Sequence, residues 1–167
     1  EQIAGAYIRY FVRHPTTQAM PRKWKTAFEG TPSEDRSITL MHDLGFKAKI
    51  AADGTRGFEM VCGGATAIMP RIAQTLYDFV PADDGEYLKR SEALLRVFDQ
   101  QDWLRPNRAR ARIKVFVDKY GIDELRRLVD EELQGEWANE VDYAAVLAEK
   151  VYTYDEEANA PAPPITA

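Results

Sequence analysis

Gly45-Phe46-Lys47-Ala48-Lys49-Ile50-Ala51-Ala52-Asp53-Gly54-Thr55-Arg56-Gly57-Phe58-Glu59-Met60-Val61-Cys62 places two extended-looking runs on either side of Ala52-Asp53-Gly54. Asp-Gly supplies the positive φ that tight hairpin turns need, so the stretch predicts antiparallel strands over Gly45–Ala51 and Gly57–Cys62. Gly63-Gly64 ends the second run with a backbone that carries no side chain to hold a ligand away. Upstream, Ser37–Leu40 reads as another extended segment, joined to the hairpin through Met41-His42-Asp43. The run Arg22–Phe28 reads as the first strand and is broken by Gly30-Thr31-Pro32-Ser33. Downstream, Leu76–Val80 reads as a short further strand.

Helical periodicity flanks this β-rich centre. Ala4, Tyr7, Ile8, Phe11 and Val12 share one face of a helix that His14-Pro15 ends. Leu88, Ser91, Leu95 and Phe98 line a second helix ending near Gln101. Arg105-Pro106-Asn107 is expected to open a third, with Ile113, Phe116, Val117 and Tyr120 buried and Gly121 as its stop. Leu125, Leu128, Val129 and Leu133 mark a fourth, and 141–152 a last one. The pattern is α+β: a small, mostly antiparallel sheet covered by helices. One domain over 1–157 and a disordered tail over 158–167 are expected, the tail because of its three prolines.

Composition narrows the function classes. The 167 residues are 45% apolar, enough for one real core. A net charge of −5 points neither to nucleic acid nor to an anionic membrane, and no apolar run approaches a membrane span. The single cysteine, Cys62, excludes an internal disulfide and suits a reducing cytoplasm. One thiol also does not make an iron–sulfur site, which is normally held by a set of cysteine thiolates. A chain opening Glu-Gln without Met reads as part of something longer.

Charge is distributed unevenly. On a strand, Lys23 and Lys25 point to one face and Arg22 and Trp24 to the other. Two ammonium groups at neighbouring same-face positions repel unless an anion or water lies between them. They read either as an edge strand blunted by lysines or as an anion site. Arg105, Arg108, Arg110, Arg112 and Lys114 add five positive charges in ten residues. Placed on a helix, Arg108 and Arg112 sit on one side of the apolar stripe, while Arg110 and Lys114 flank the other. Solvated flanks with snorkelling stems and a carboxylate- or phosphate-rich ligand both fit. From Gly121 to Glu157 the balance reverses, with twelve acids against three basic residues, as on a solvated helical surface or a docking face for a basic protein.

Several pieces in order carry a family resemblance. These are Met20-Pro21-Arg22-Lys23-Trp24-Lys25, His42-Asp43-Leu44-Gly45-Phe46 and Gly57-Phe58-Glu59-Met60-Val61-Cys62-Gly63-Gly64. Phe79-Val80-Pro81-Ala82-Asp83-Asp84 follows, then Asn107–Lys114 and Tyr120–Arg126. Together they resemble the sirohaem-dependent sulfite and nitrite reductases, from about residue 3 to 134. The resemblance implies two similar halves around a sirohaem bridged by a cysteine thiolate to a 4Fe–4S cluster. The first half supplies cations and the second supplies cysteines, as Cys-x5-Cys and Cys-x3-Cys. This chain has the lysines without those cysteines, so it resembles the first half. It is then expected to share sirohaem with a second half of the parent chain, to hold no cluster itself and to be inactive alone.

By the same resemblance, Lys23 and Lys25 face the bound oxyanion, where fixed ammonium groups stabilise charge and hand over protons. Arg22 and Lys23 contact sirohaem, Arg112 meets one of its carboxylates, and Gly63 and Gly64 lie beside it. Ala65 stands where a third glycine is usual, and Trp24 where phenylalanine is commoner. Lys-x-Lys is the sulfite-type pattern and Lys-x-Asn the plant-like nitrite one, so Lys25 favours sulfite, whose dianion needs more compensation than nitrite. The electron donor is a ferredoxin or a flavoprotein. The alternatives are a ferredoxin-type nitrite reductase, taking nitrite to ammonia, and a non-catalytic anion-binding module on the same fold. His42-Asp43 reads as a structural turn, His14 as a helix-end cap, and Cys62 as a small buried hydrophobe. No phosphate loop, zinc spacing or Ser-His-Asp order is present.

Overall fold

The computed structural model describes residues 2–31, 33–66 and 69–149. The expected tail over 158–167 and the end of the last helix at Tyr152 lie outside the described residues. Helices α1 (Gln2–Phe11) and α2 (Pro15–Ala19) lead into strand β1 (Thr26–Glu29), followed by β2 (Leu44–Ile50), β3 (Arg56–Cys62) and β4 (Gln74–Pro81). Helices α3 (Glu86–Asp99), α4 (Ile113–Tyr120), α5 (Ile122–Glu132) and α6 (Tyr143–Ala148) complete the order. No described helix is long and apolar enough to cross a membrane.

The strands form one sheet in the order β1-β2-β3-β4. β1 runs parallel to β2, with Thr26 opposite Leu44 and Phe28 opposite Phe46. The β2–β3 hairpin is antiparallel from Leu44–Cys62 to Ile50–Arg56, and β4 is antiparallel to β3, with register shifts on either side of Met60. The sheet is therefore mixed and mostly antiparallel, and the α+β class holds. The hairpin turn closes as the sequence predicts. Gly54 takes φ 88°, its N–H donates to Ala51 O, and Ala51 N–H donates to Thr55 O.

Alternation sorts the two faces. Leu44, Phe46, Phe58, Met60, Cys62, Leu76 and Val80 are buried under the helices together with Tyr87, Leu88, Leu95 and Phe98 of α3. Phe28 and Phe46 stack at 4.5 Å, with Phe58 and Tyr87 edge-on to Phe46. Each such side chain, once buried, stabilises the fold by about 1.5–3 kcal/mol relative to exposure. The opposite face carries a polar ladder: Thr75 donates to Glu59, and Lys49 lies 3.4 Å from the same carboxylate. A sheet with one packed and one solvated face needs this period-2 pattern.

Several boundaries differ from the sequence reading. β1 starts at Thr26, not Arg22, because the main chain before it meets β2 only where Leu44 N–H donates to Lys25 O. Ser37–Leu40 is not extended: a turn and a 3-10 segment, Thr39–Met41, replace the expected strand. Asp35 is the cause, since its carboxylate accepts from the N–H groups of Thr39 and Leu40 and from the Thr39 hydroxyl. The short strand is the eight-residue β4.

Pro15 opens α2 rather than merely ending α1, using a ring already set for a first helical position. His14 precedes it without a side-chain cap. Ile8 and Val12 of the α1 stripe are exposed, and they line a groove of about 450 Å³ beside Phe11, Met20, Trp24 and Phe28.

The largest departure is the third predicted helix. It begins at Ile113, not near Arg105. The Arg105 guanidinium is held by Asp99, Asp102 and the carbonyl of Ala19, and Asn107 Oδ1 accepts from Ala109 N–H in a turn. Arg108 and Arg110 therefore lie on a loop, and the expected helical pairing of Arg108 with Arg112 does not occur.

Candidate functional site

One end of the sheet gathers most of the residues singled out by sequence. The N-terminal ends of β1, β2 and β4 meet the C-terminal end of β3 there, and α4 begins beside them. Lys23 and Lys25 are exposed, while Arg22 and Trp24 are half-buried, so the alternation expected of this stretch survives outside the ladder. Trp24 packs at 5.4 Å on Phe98 and donates through Nε1 to Thr26, which accommodates its size. Arg22 Nη1 donates to the carbonyls of Arg108 and Ala109, at 2.8 and 3.3 Å. It thereby ties the lysine segment to the arginine-rich loop.

At the centre of this end is Asp43, 0% exposed. Its carboxylate takes a fork from Arg112, with Nε and Nη2 both at 2.8 Å. Oδ2 also accepts from the Lys25 backbone N–H at 3.0 Å, and Asp43 O accepts from Gly63 N–H at 3.0 Å. Burial pushes the Asp43 carboxyl up, and the charge and fork of Arg112 and the Lys25 N–H pull against it. Arg112 is itself 6% exposed and stands just before α4 in extended conformation. Sequence reasoning read His42-Asp43 as a structural turn and passed over this partner. An acid before an apolar strand is too common a pattern to announce a fork partner 69 residues away.

Lys114 is buried as well, and its Nζ donates to Met69 O at 2.9 Å. Burial lowers its ammonium, and Arg112 and Arg71 nearby lower it further. Arg71 pairs with Asp118 at 2.7 Å. The glycines serve the protein's own backbone. Gly63 takes φ 92°, and a Cβ on Gly64 would lie 2.3 Å from Leu40 O and 2.7 Å from His42 O. Close approach here is made between the end of β3 and the segment leading into β2. Ala65 is buried and bridges to Arg71 through two hydrogen bonds, so this position accepts a methyl group.

The structure thus brings Lys25, Arg112 and Gly63 together through Asp43, with Gly64 next in sequence to Gly63 and with Lys23 and Arg22 two and three residues before Lys25. Among the described residues, Lys23, Lys25, Arg108 and Arg110 form no ion pair, whereas Arg56, Arg71, Arg105, Arg126 and Arg127 all do. An end with a buried fork behind it and unpaired cations in front suits a polyanionic ligand.

Comparison with known proteins places this geometry in a family. Residues 1–136 match the nitrite and sulphite reductase 4Fe-4S domain, and the chain belongs to that family. It is 35% identical over 123 residues to the sulfite reductase [NADPH] hemoprotein beta-component of Methylorubrum extorquens strain PA1, covering 68% of this chain and 19% of that protein. It is 36% identical over 116 residues to the ferredoxin–nitrite reductase of Synechococcus elongatus, covering 67% and 21%. The structure of Mycobacterium tuberculosis NirA superposes with a TM-score of 0.67 at 26% identity, over 78% of this chain and 23% of that one. The chain spans about a fifth of the length of the curated relatives it matches.

The two cofactors of the family fit these residues differently. Cys62 is the sole thiol of the sequence and is fully buried, and burial pushes its thiol up. Among the described residues no group of His, Cys, Asp or Glu is arranged to hold a metal ion. With a single cysteine in its sequence, the chain does not supply the set of thiolates that normally holds a 4Fe–4S cluster. Sirohaem, a macrocycle rimmed by carboxylates, is matched in charge by the exposed Lys23, Lys25, Arg108 and Arg110, which form no ion pair among the described residues, and by the Arg112 guanidinium.

Proposed function

We propose that this chain is the sirohaem-facing domain of the first half of a longer sulfite reductase, and that Lys23 and Lys25 bind and protonate the oxyanion. The observation that carries the reading is the pair of exposed, ionically unpaired ammonium groups beside the buried Asp43–Arg112 fork. Arg112 would meet one of the macrocycle's carboxylates, Arg22 and Lys23 would contact the macrocycle, and Gly63 and Gly64 would lie beside it. The two N–H groups that Asp43 takes leave the Arg112 guanidinium further donors. When bound, sirohaem supplies the iron centre that delivers electrons to the substrate.

The work of the chain's own residues is electrostatic and protonic. Six-electron reduction of sulfite to sulfide consumes protons at an anion whose charge would otherwise climb. The Lys23 and Lys25 ammonium groups offset that charge, and each carries a proton that it can pass to a substrate oxygen directly or through water. On this reading a 4Fe–4S cluster would be held by cysteines in a second half of the parent chain, and a ferredoxin or flavoprotein would donate the electrons. Nitrite is the second substrate reading, supported by the likeness to the Synechococcus enzyme. A non-catalytic anion-binding module remains the reading from another class. The full-length protein tests all three. A sirohaem absorption spectrum that shifts with sulfite, and shifts less in Lys23→Ala and Lys25→Ala, supports the reductase. A protein that stays colourless after reconstitution with sirohaem sinks it in favour of the module.

A further inference from the structure

We infer that Asp43 is the positioning residue of the anion site, holding the Lys25 main chain and the Arg112 guanidinium in one frame. The inference rests on the function proposed above and deepens it. Asp43 itself is fully buried and reaches no ligand; it acts through the two cations it joins. One carboxylate receives Arg112 Nε and Nη2 and the Lys25 N–H, while the Asp43 carbonyl receives Gly63 N–H. Three segments far apart in the chain, before β1, after β3 and before α4, are thereby referenced to a single residue. None lies inside a helix or strand, and the Lys25 main chain has one further tie, the Leu44 N–H that donates to Lys25 O. Lys25 precedes the ladder of β1, Gly63 follows β3, and Arg112 stands ahead of the first turn of α4. Without the carboxylate, both the lysine segment and the arginine lose their shared reference, and sites of this kind fail when their supporting shell is loose.

The sign of the effect separates positioning from simple charge. Asp43→Asn removes a negative charge from a cationic site, so electrostatics alone makes an anion bind more tightly. Loss of position makes it bind more weakly, because the amide NH2 now faces donors on Arg112 or Lys25. The test is titration of the full-length, sirohaem-loaded protein with sulfite, followed by visible absorption, alongside sirohaem content and the thermal midpoint. Asp43→Asn and Asp43→Glu, the second keeping charge and moving it, are each expected to raise the sulfite Kd about tenfold, the size seen when a supporting partner of a ligand-binding side chain is lost. A variant that folds with wild-type midpoint and binds sulfite equally well or better overturns the inference.

If neither variant folds, hydrogen exchange of the wild-type protein decides. Peptides covering 22–28 and 108–114 should be slowed together by sulfite, and slowing of one without the other overturns the coupling. A wild-type protein that takes up no sirohaem, or whose spectrum ignores sulfite, instead defeats the proposed function.

Discussion

Among the described residues two buried carboxylates, Asp43 and Glu92, pair with arginines, and they do different things. Asp43, at the sheet end, has its carboxylate enclosed by Arg112 and the Lys25 main-chain N–H. Glu92, on α3 and 2% exposed, accepts from Tyr10 of α1 at 2.5 Å, from Tyr143 of α6 at 2.8 Å and from Arg96 at 2.8–2.9 Å. His14 Nε2 stands 3.4 Å from it. Glu92 is a knot between helices, closed by neutral phenols whose ionisation burial pushes upward, and Arg96 stacks on Trp137. Asp43 instead joins Arg112 to the Lys25 main chain, and the exposed ammonium groups of Lys23 and Lys25 form no ion pair among the described residues. A buried charge is scaffold or site according to what lies beyond its partners, not according to its own chemistry.

The comparison breaks first on arginine removal. Arg112→Ala leaves Asp43 buried without a counter-charge and is expected to cost about 3–5 kcal/mol in chemical denaturation. Arg96→Ala leaves Glu92 with both phenols, so about 1 kcal/mol is expected. Equal losses at the two sites would erase the distinction. Next in size is the split between binding and stability at the lysines. Lys25→Ala should change stability by less than about 0.5 kcal/mol, as exposed sites do. On the proposed function, in the full-length protein it should lower kcat about 100-fold, the loss typical of one donor to developing charge. A stability change without a rate change would make the lysines an edge device after all.

The smallest effect is on pH. Burial lowers His14 from its ordinary 6.5, with the Glu92 charge opposing. The fold therefore favours the neutral ring, and the unfolded chain holds the proton more strongly. The stability that this ring contributes is fully present above about pH 6.5. It falls as pH drops through the lowered folded value. Thermal midpoints measured from pH 7.5 down to 5.5 should decline more in the wild type than in His14→Gln, and identical slopes would remove His14 from the account.

Reading along the chain found the hairpin, α3, α5 and most of the apolar faces, because each depends on neighbours within a few residues: an Asp-Gly turn, a period of two, a period of 3.6; Ile8, Val12 and Tyr120, expected on those faces, are exposed. It misjudged Ser37–Leu40 and Arg105–Arg112 for the same reason. In both, a side chain bonds to local backbone, Asp35 to Thr39 and Leu40 and Asn107 to Ala109, and such bonds compete with helix and strand at little cost. His14 likewise looks like a cap in sequence and in the fold turns to Glu92, 78 residues later.

The sequence by itself determined the α+β class, the family resemblance and the candidate cations, including the alternation that leaves Lys23 and Lys25 on one side of Trp24. Those rest on local sterics and side-chain type, which travel with the residues wherever the chain goes. Only the tertiary structure decided which cations belong together. Asp43, Lys25, Gly63 and Arg112 are scattered over nearly ninety residues, and nothing local marks them as partners. They meet because the parallel β1–β2 pairing sets Lys25 beside Asp43, and burial then leaves that carboxylate a single adequate counter-charge, the guanidinium at the start of α4.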